Sequence, residues 1–149
     1  MKTLRIRQAK AEDLPAIVRL LADDPLGTQR EKRTELLPAS YHAVFEAISY
    51  DPNNGPVAAQ DHDASVVAVR QITDTPYITY QGGWRAASEY VRVASHMRGS
   101  GVGKDLFAWA IARASVRGCH LERHATDKQR REAKRVYETM GLVATHKGI

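Results

Sequence analysis

The sequence predicts a three-layer α/β domain, a central mixed sheet with helices packed against it. Three observations predict it. The chain has 149 residues, the size of one domain at ~100–200 residues each. Its 43% hydrophobic and 26% charged residues describe a globular protein with enough apolar surface for a core, not a disordered one. Segments of two-residue and 3.6-residue periodicity follow one another as β-α-α-β-β-β-α-β-α-β, an order that requires helices on a sheet.

Each element has its own signal. Leu4-Arg5-Ile6-Arg7 alternates and reads as a short strand. A helix follows from about Glu12, with Glu12, Asp13 and Pro15 suited to its first turn. Leu14, Ile17, Val18 and Leu21 mark one face of it, and Asp24-Pro25-Leu26-Gly27 ends it. Residues 28–37 are charged and irregular and read as a loop over a site. A second helix is expected over Ala39–Ser49, with Val44, Ala47 and Ile48 inward.

Asp51–Pro56 is dense in turn residues. Val57–Gln60 and Ser65–Ile72 read as strands joined by a solvated turn at Asp61-His62-Asp63-Ala64, and Thr73–Gly83 as a second turn. Trp84–Ala94 is a longer strand. Lys104–Arg117 is a strong helix, with Leu106, Phe107, Ala110, Ile111 and Ala114 at helical spacing and Gly118 as its C-terminal glycine. Cys119–Ala125 reads as a strand, Arg130–Met140 as the last helix capped by Gly141, and Leu142–His146 as a final strand.

Composition excludes several classes. No run approaches the ~18 apolar residues of a membrane span, and the N-terminal segment Met1–Arg7 has no apolar signal region. A cytoplasmic protein is therefore expected, with no membrane partner. The single cysteine, Cys119, allows neither an internal disulfide nor a multi-cysteine zinc site. It reads as a small buried residue. The net charge is +5, which points to a phosphate-bearing partner. Residues 1–97 hold 11 basic and 12 acidic side chains, a net of −1. Residues 98–149 hold 11 and 5, a net of +6. The anion is expected at the C-terminal third.

That third opens on Arg98-Gly99-Ser100-Gly101-Val102-Gly103-Lys104, directly between a strand and a helix. Helix N-termini present free N–H groups and partial positive charge, and glycine lets an anion approach the backbone. The Walker pattern fails because Asp105 stands where Ser or Thr would bind magnesium. The dinucleotide fingerprint fails because the spacing is Gly-x-Gly-x-Gly and falls late in the chain.

With these residues in place, the sequence resembles the GNAT superfamily of N-acetyltransferases. Val91-x-Val93, four residues and Arg98-Gly99-x-Gly101-Val102-Gly103 before an apolar helix are similar to its acetyl-CoA signature. Ala133-Lys134-Arg135-Val136-Tyr137-Glu138-Thr139-Met140-Gly141-Leu142 is similar to its Ala-x-x-x-Tyr-Glu-x-x-Gly-Phe, and Ile6-Arg7-x-Ala9-x-x-x-Asp13-Leu14-x-x-Ile17-x-x-Leu20 to its opening. The sequence departs from the pattern at Arg130, where Asn is frequent, and at Leu142, where Phe is. The residues after the last helix leave room for little more than one strand, so that strand is short or comes from a partner subunit, which points to a homodimer.

The resemblance covers essentially the whole chain. It implies a splayed mixed sheet and direct acetyl transfer from acetyl-CoA to a small amine, amino-acid or peptide-like acceptor, with no metal. It assigns the pyrophosphate to Arg98, Gly99, Ser100, Gly101, Val102, Gly103 and Lys104, and the pantetheine arm to the strand at Val91, Arg92 and Val93. A backbone N–H of that strand would face the developing oxyanion. Tyr137 is the implied proton donor to the leaving thiolate, and a phenol near pKa ~10 is protonated at neutral pH. The competing reading of Tyr137 is a core residue.

Glu89, two residues before Val91, is a candidate general base; it reads equally as a strand carboxylate paired with Arg85 or Arg92. His120, Glu122 and His124 alternate on one strand. They read as a solvent-open face, with Glu122 and His124 as further candidates for the base. Without a third ligand they make a poor metal site. Gly82-Gly83-Trp84-Arg85 leads into the site strand and is a candidate lining for the acceptor pocket, with residues 23–40 and 73–90. An alternative function is a basic nucleic-acid-binding module, or a domain acting on a charged RNA, through Lys128, Arg130, Arg131, Lys134 and Arg135. No aromatic stacking motif accompanies that stripe, and a solvated helix face explains it as well.

Overall fold

The computed structural model describes residues 4–124 together with residues 135, 138, 139, 141 and 143. Five strands form one sheet: β1 Arg5–Gln8, β2 Asn54–Gln60, β3 Val66–Pro76, β4 Trp84–Val93 and β5 Leu121–His124. Their spatial order is β1-β2-β3-β4-β5. The first four pair antiparallel; three helices lie between β1 and β2, while β2–β3 and β3–β4 are joined by short connections. β4 and β5 pair parallel from Arg85↔Leu121 to Ser88↔His124, because a whole helix, α5 Val102–Val116, crosses between them. The expected mixed sheet is present.

Among the described residues, further helices are α1 Leu14–Leu21, α2 Pro25–Arg30, α3 Ala39–Tyr50 and the single turn α4 Thr79–Gly82. Both faces of β3 are buried. Ala68, Arg70, Ile72 and Asp74 lie toward α5, while Val67 and Val69 fill the other face, where α1 and α3 pack on the sheet. From α5, Val102, Leu106, Ala110 and Ala114 enter the core at helical spacing. Ile111, expected inward, is 44% exposed.

α1 is fixed to β1 by one carboxylate. Asp13 accepts from the Lys10 N–H at 2.7 Å and from both terminal nitrogens of Arg7 at 2.7 and 2.9 Å. The Arg7 hydrogen bonds hold its carboxyl below the ordinary carboxylate range. Leu14, Ile17, Val18 and Leu20 are the buried face of α1, with Leu21 beside them.

Several expectations are corrected. Asp24-Pro25 does not merely end α1. Asp24 caps α2 by accepting from the Gly27 N–H, and Pro25 takes its first turn. Part of the expected loop is therefore helical. Gly27 is required there, since a Cβ would lie 1.9 Å from the Leu21 carbonyl oxygen. On α3 the inward residues are Tyr41, Phe45 and Ile48 rather than Val44, Ala47 and Ile48. Val44 is 53% exposed, because the larger Phe45 ring takes the core position. β3 runs past Ile72 to Pro76 instead of turning at Thr73. Its polar end is stabilised through Asp74, which is ion-paired to Arg113 at 3.0 Å and to Arg117 at 2.5 Å. Tyr80 and Gln81 in α4 take left-handed backbone (φ 55° and 61°), an uncommon conformation for side-chain-bearing residues.

Candidate active site

The turn between β4 and α5 has the geometry of an anion cradle. Gly99 (φ 76°) and Gly101 (φ 89°) are left-handed, and Gly101 is the N-cap of α5. The first backbone bond into the helix is Asp105 N–H to Gly101 carbonyl at 3.1 Å. Among the described residues, the amides of Val102, Gly103 and Lys104 thus have no backbone acceptor. A Cβ built at Gly99, Gly101 or Gly103 meets nothing among the described residues within 4 Å. Packing against the described residues does not require these glycines. The residues fit a pyrophosphate.

The side chains around the turn are already oriented. Arg98 Nε donates to the Val93 carbonyl at 3.3 Å, and Arg98 Nη2 lies 3.9 Å from the Asp23 carboxylate at the end of α1. Arg98 therefore ties β4, the turn and α1 together while remaining half exposed. Ser100 Oγ donates to the Met97 carbonyl, and Lys104 is exposed. Val91 and Val93 are half-buried on β4, and Arg92 Nη1 donates to the Val91 carbonyl at 2.8 Å.

Glu89 is the irregular residue of β4. Ser88 pairs with Ile72 and Tyr90 with Gln71, so Glu89 has no partner across β3 and is the extra residue of a bulge. The bulge resets the alternation. Val91 opposes Arg70 and Ser88 opposes Ile72, which puts Val91 and Val93 on the face of Ser88 and Ala86. Glu89 is exposed. Arg85 lies over the Tyr77 ring at 5.4 Å and Arg92 bonds Val91, so the alternative of a Glu89 ion pair with either arginine is not what the structure shows. Beside Glu89, Tyr90 is largely buried, and burial, with a smaller effect of the Glu31 charge, pushes its phenol up to about 12. Glu31 also accepts from Tyr41 Oη at 2.6 Å.

The expectation of a solvent-open face on β5 is overturned. Glu122 and His124 have side chains only 6% and 5% exposed, because Arg70, itself buried on β3, reaches them. Arg70 Nη2 contacts Glu122 Oε1 and lies 2.9 Å from His124 Nε2. Only His120 of the three is exposed, bonded to Tyr77 Oη. Sequence reasoning passed over Arg70 and Asp74. The signal was available: they are the two charged residues of β3 and fall on one face of it, Arg70 directly after the apolar run Val66–Val69, with charges on β5 and α5 to meet them. Cys119 is half-buried 3.8 Å from Asp74 Oδ1. Burial pushes its thiol up, which suits a protonated structural residue and not a nucleophile.

Tyr137 lies outside the described residues, as do Lys128, Arg130, Arg131 and Lys134. Of the expected last helix, Arg135, Glu138 and Thr139 are helical, and Gly141 takes the left-handed conformation of a C-terminal glycine (φ 88°). Among the described residues no three His, Cys, Asp or Glu side chains are grouped to hold a metal ion. No helix of the described residues is long and apolar enough to cross a membrane.

A family model for the acetyltransferase (GNAT) family matches residues 14–142, spanning α1, the glycine turn and the Tyr137 segment. The chain belongs to the GNAT acetyltransferase family. Among solved structures, a protein described as a transcriptional regulator from Bacillus halodurans C-125 is 47% identical, with TM-score 0.94 over 99% of this chain and 97% of its own. Glucosamine-6-phosphate N-acetyltransferase from Arabidopsis thaliana shares the fold at 20% identity and TM-score 0.78, over 99% and 96% of the two chains. AAC(6')-Iy, solved with the bisubstrate analog CoA-S-monomethyl-acetylneamine, does so at 17% identity and TM-score 0.77, over 99% and 95%. No curated protein sequence matches. The GNAT fold accounts for the sheet order, and the family uses acetyl-CoA.

Proposed function

We propose that this GNAT protein transfers the acetyl group of acetyl-CoA directly to a primary amine of a small or peptide-like acceptor. The observation that carries the reading is the glycine turn, where, among the described residues, the first amides of α5 have no backbone acceptor and three alternating glycines have no neighbour at the Cβ position. These amides, with Arg98 and Lys104, would hold the pyrophosphate. Val91–Val93 would align the pantetheine arm, leaving a β4 N–H for the oxyanion. Bound acetyl-CoA supplies the activated acyl group. The acceptor ammonium must lose a proton before attack, and Glu89, exposed at the bulge, is our candidate base, directly or through a water. Tyr137 is our candidate donor to the thiolate.

Two measurements test this. Acetyl-CoA in excess of its dissociation constant is expected to raise Tm by linkage; no shift at millimolar acetyl-CoA refutes the proposal. CoA thiol release across an amine panel, including glucosamine 6-phosphate and neamine, identifies the acceptor. A second reading, nucleic-acid binding, draws on the +6 of residues 98–149 and on the 47%-identical relative described as a transcriptional regulator. Filter binding of RNA and DNA at low salt decides it, and no retention removes it.

A further inference from the structure

Arg70 is 1% exposed in the middle of the sheet and, among the described residues, bonds three other elements. Nε donates to Ser88 Oγ on β4 at 2.7 Å. Nη1 donates to the Leu106 carbonyl on α5 at 3.3 Å. Nη2 meets Glu122 and His124 on β5. The Phe107 ring stands 5.9 Å from the guanidinium carbon.

The partners sit at meaningful places. Ser88 is the last β4 residue paired to β5 within the described residues, and it directly precedes the bulge residue Glu89. Leu106 lies one turn into α5, immediately behind the amides of the glycine turn. Glu122 and His124 belong to β5, held to β4 by the four pairings from Arg85 to Ser88.

Stability does not call for this arrangement. Burying a guanidinium and a carboxylate costs desolvation that their attraction barely returns, and apolar replacements of similar volume are often neutral or better. The neighbouring β3 residues Val67, Val69 and Ile72 show what the strand uses otherwise. What an arginine adds is direction: donors in one rigid plane, fixed at several angles at once.

We infer that Arg70 is a positioning residue for acetyl transfer, holding the bulged segment of β4, the strand β5 and the first turns of α5 in one fixed relation. The inference rests on the acetyl-transfer reading above. Arg70 is buried, and its partners among the described residues are structural, so its proposed role is positioning and not catalysis. Misplacing reacting groups by a fraction of an ångström slows chemistry more than it weakens binding. The second buried ion pair, Asp74 with Arg113 and Arg117, ties β3 to the last turns of α5, far along the helix from the glycine turn. It serves as the control.

The experiment compares wild type with R70K, R70M/E122M and D74N. The readouts are Tm, the acetyl-CoA dissociation constant by calorimetry, and kcat and KM from CoA thiol release with the best amine of the panel, or with water where no amine works. R70M/E122M removes both buried charges, so its Tm is expected near wild type, with kcat lowered about tenfold or more and acetyl-CoA affinity within about threefold. R70K keeps the charge but not the fork and is expected to lose kcat similarly. D74N is expected to lower Tm while kcat stays within about twofold. Wild-type kcat in R70K and R70M/E122M overturns the inference, as does an equal kcat loss in D74N, which would mean general softening. If R70M/E122M fails to fold, R70K decides. Wild type that binds no acetyl-CoA overturns the acetyl-transfer reading, and the inference with it.

Discussion

A methyl group at Gly103 would meet nothing within 4 Å among the described residues. Alanine is the better helix former by about 1 kcal/mol, so Gly103→Ala is expected to hold or raise Tm. The same methyl would stand in the space proposed for the pyrophosphate. Acetyl-CoA affinity should therefore fall although stability does not, and calorimetry beside a melting curve separates the two effects. An Ala variant with unchanged affinity would leave the cradle without its glycine requirement. At Tyr137, Tyr137→Phe removes the phenol proton and little volume. Turnover is expected to drop about 10–100-fold, in the range of a lost general acid, with the acetyl-CoA dissociation constant unchanged. Equal loss of both would mark Tyr137 as a packing residue. The sequence pointed to Gly103 through spacing and to Tyr137 through motif. It passed over Arg70, whose meaning depends on side chains 52 and 54 residues away.

Among the elements, the start of α1 carries the clearest linkage to pH. Asp13 caps the turn at Lys10 and pairs with Arg7, and its carboxyl titrates below its ordinary value of 3.8. A depressed folded pKa means stability that is complete above the ordinary value and lost as pH falls through the folded one. Asp13→Ala is expected to cost about 1–2 kcal/mol at neutral pH, from the lost cap and charged hydrogen bonds. The difference between variant and wild type should shrink as pH falls below that ordinary value, as read from denaturation midpoints. α2 offers a steric counterpart. Gly27→Ala forces a Cβ into the Leu21 carbonyl and is expected to destabilise by about 1–3 kcal/mol, as overpacking does. Both elements explain what was legible. Asp24-Pro25 is a helix-start signal as much as a stop, and the choice between them depended on the packing of Gly27 against α1. β3 outran its apolar stretch because α5 supplied partners for Asp74, which no local pattern displays.

At the scale of the whole molecule, the charge asymmetry becomes a binding prediction. Residues 98–149 carry the +6 and include the glycine turn. Binding of a phosphate-rich ligand there should weaken as added salt screens exposed charges such as Lys104. Part of it should persist, because the α5 amides are fixed dipoles and Arg98 is held at its base by Val93. Titrating acetyl-CoA at low and high ionic strength checks this. Salt-independent affinity would show that the basic third serves something other than the cofactor.

By itself the sequence determined the order of the five described strands with α1, α3 and α5 among them, the glycine turn that opens α5, and the GNAT membership those features imply. These are local or nearly local: periodicity, capping residues and spacing along one stretch of chain. Only the tertiary structure decided where the alternation of β4 breaks, leaving Glu89 at a bulge and moving Val91 onto the face of Ser88. It alone decided that Glu122 and His124 turn inward. The physical reason is the same in both cases. Strand register and the solvation of a charge are set by what lies opposite, and Arg70 stands opposite both.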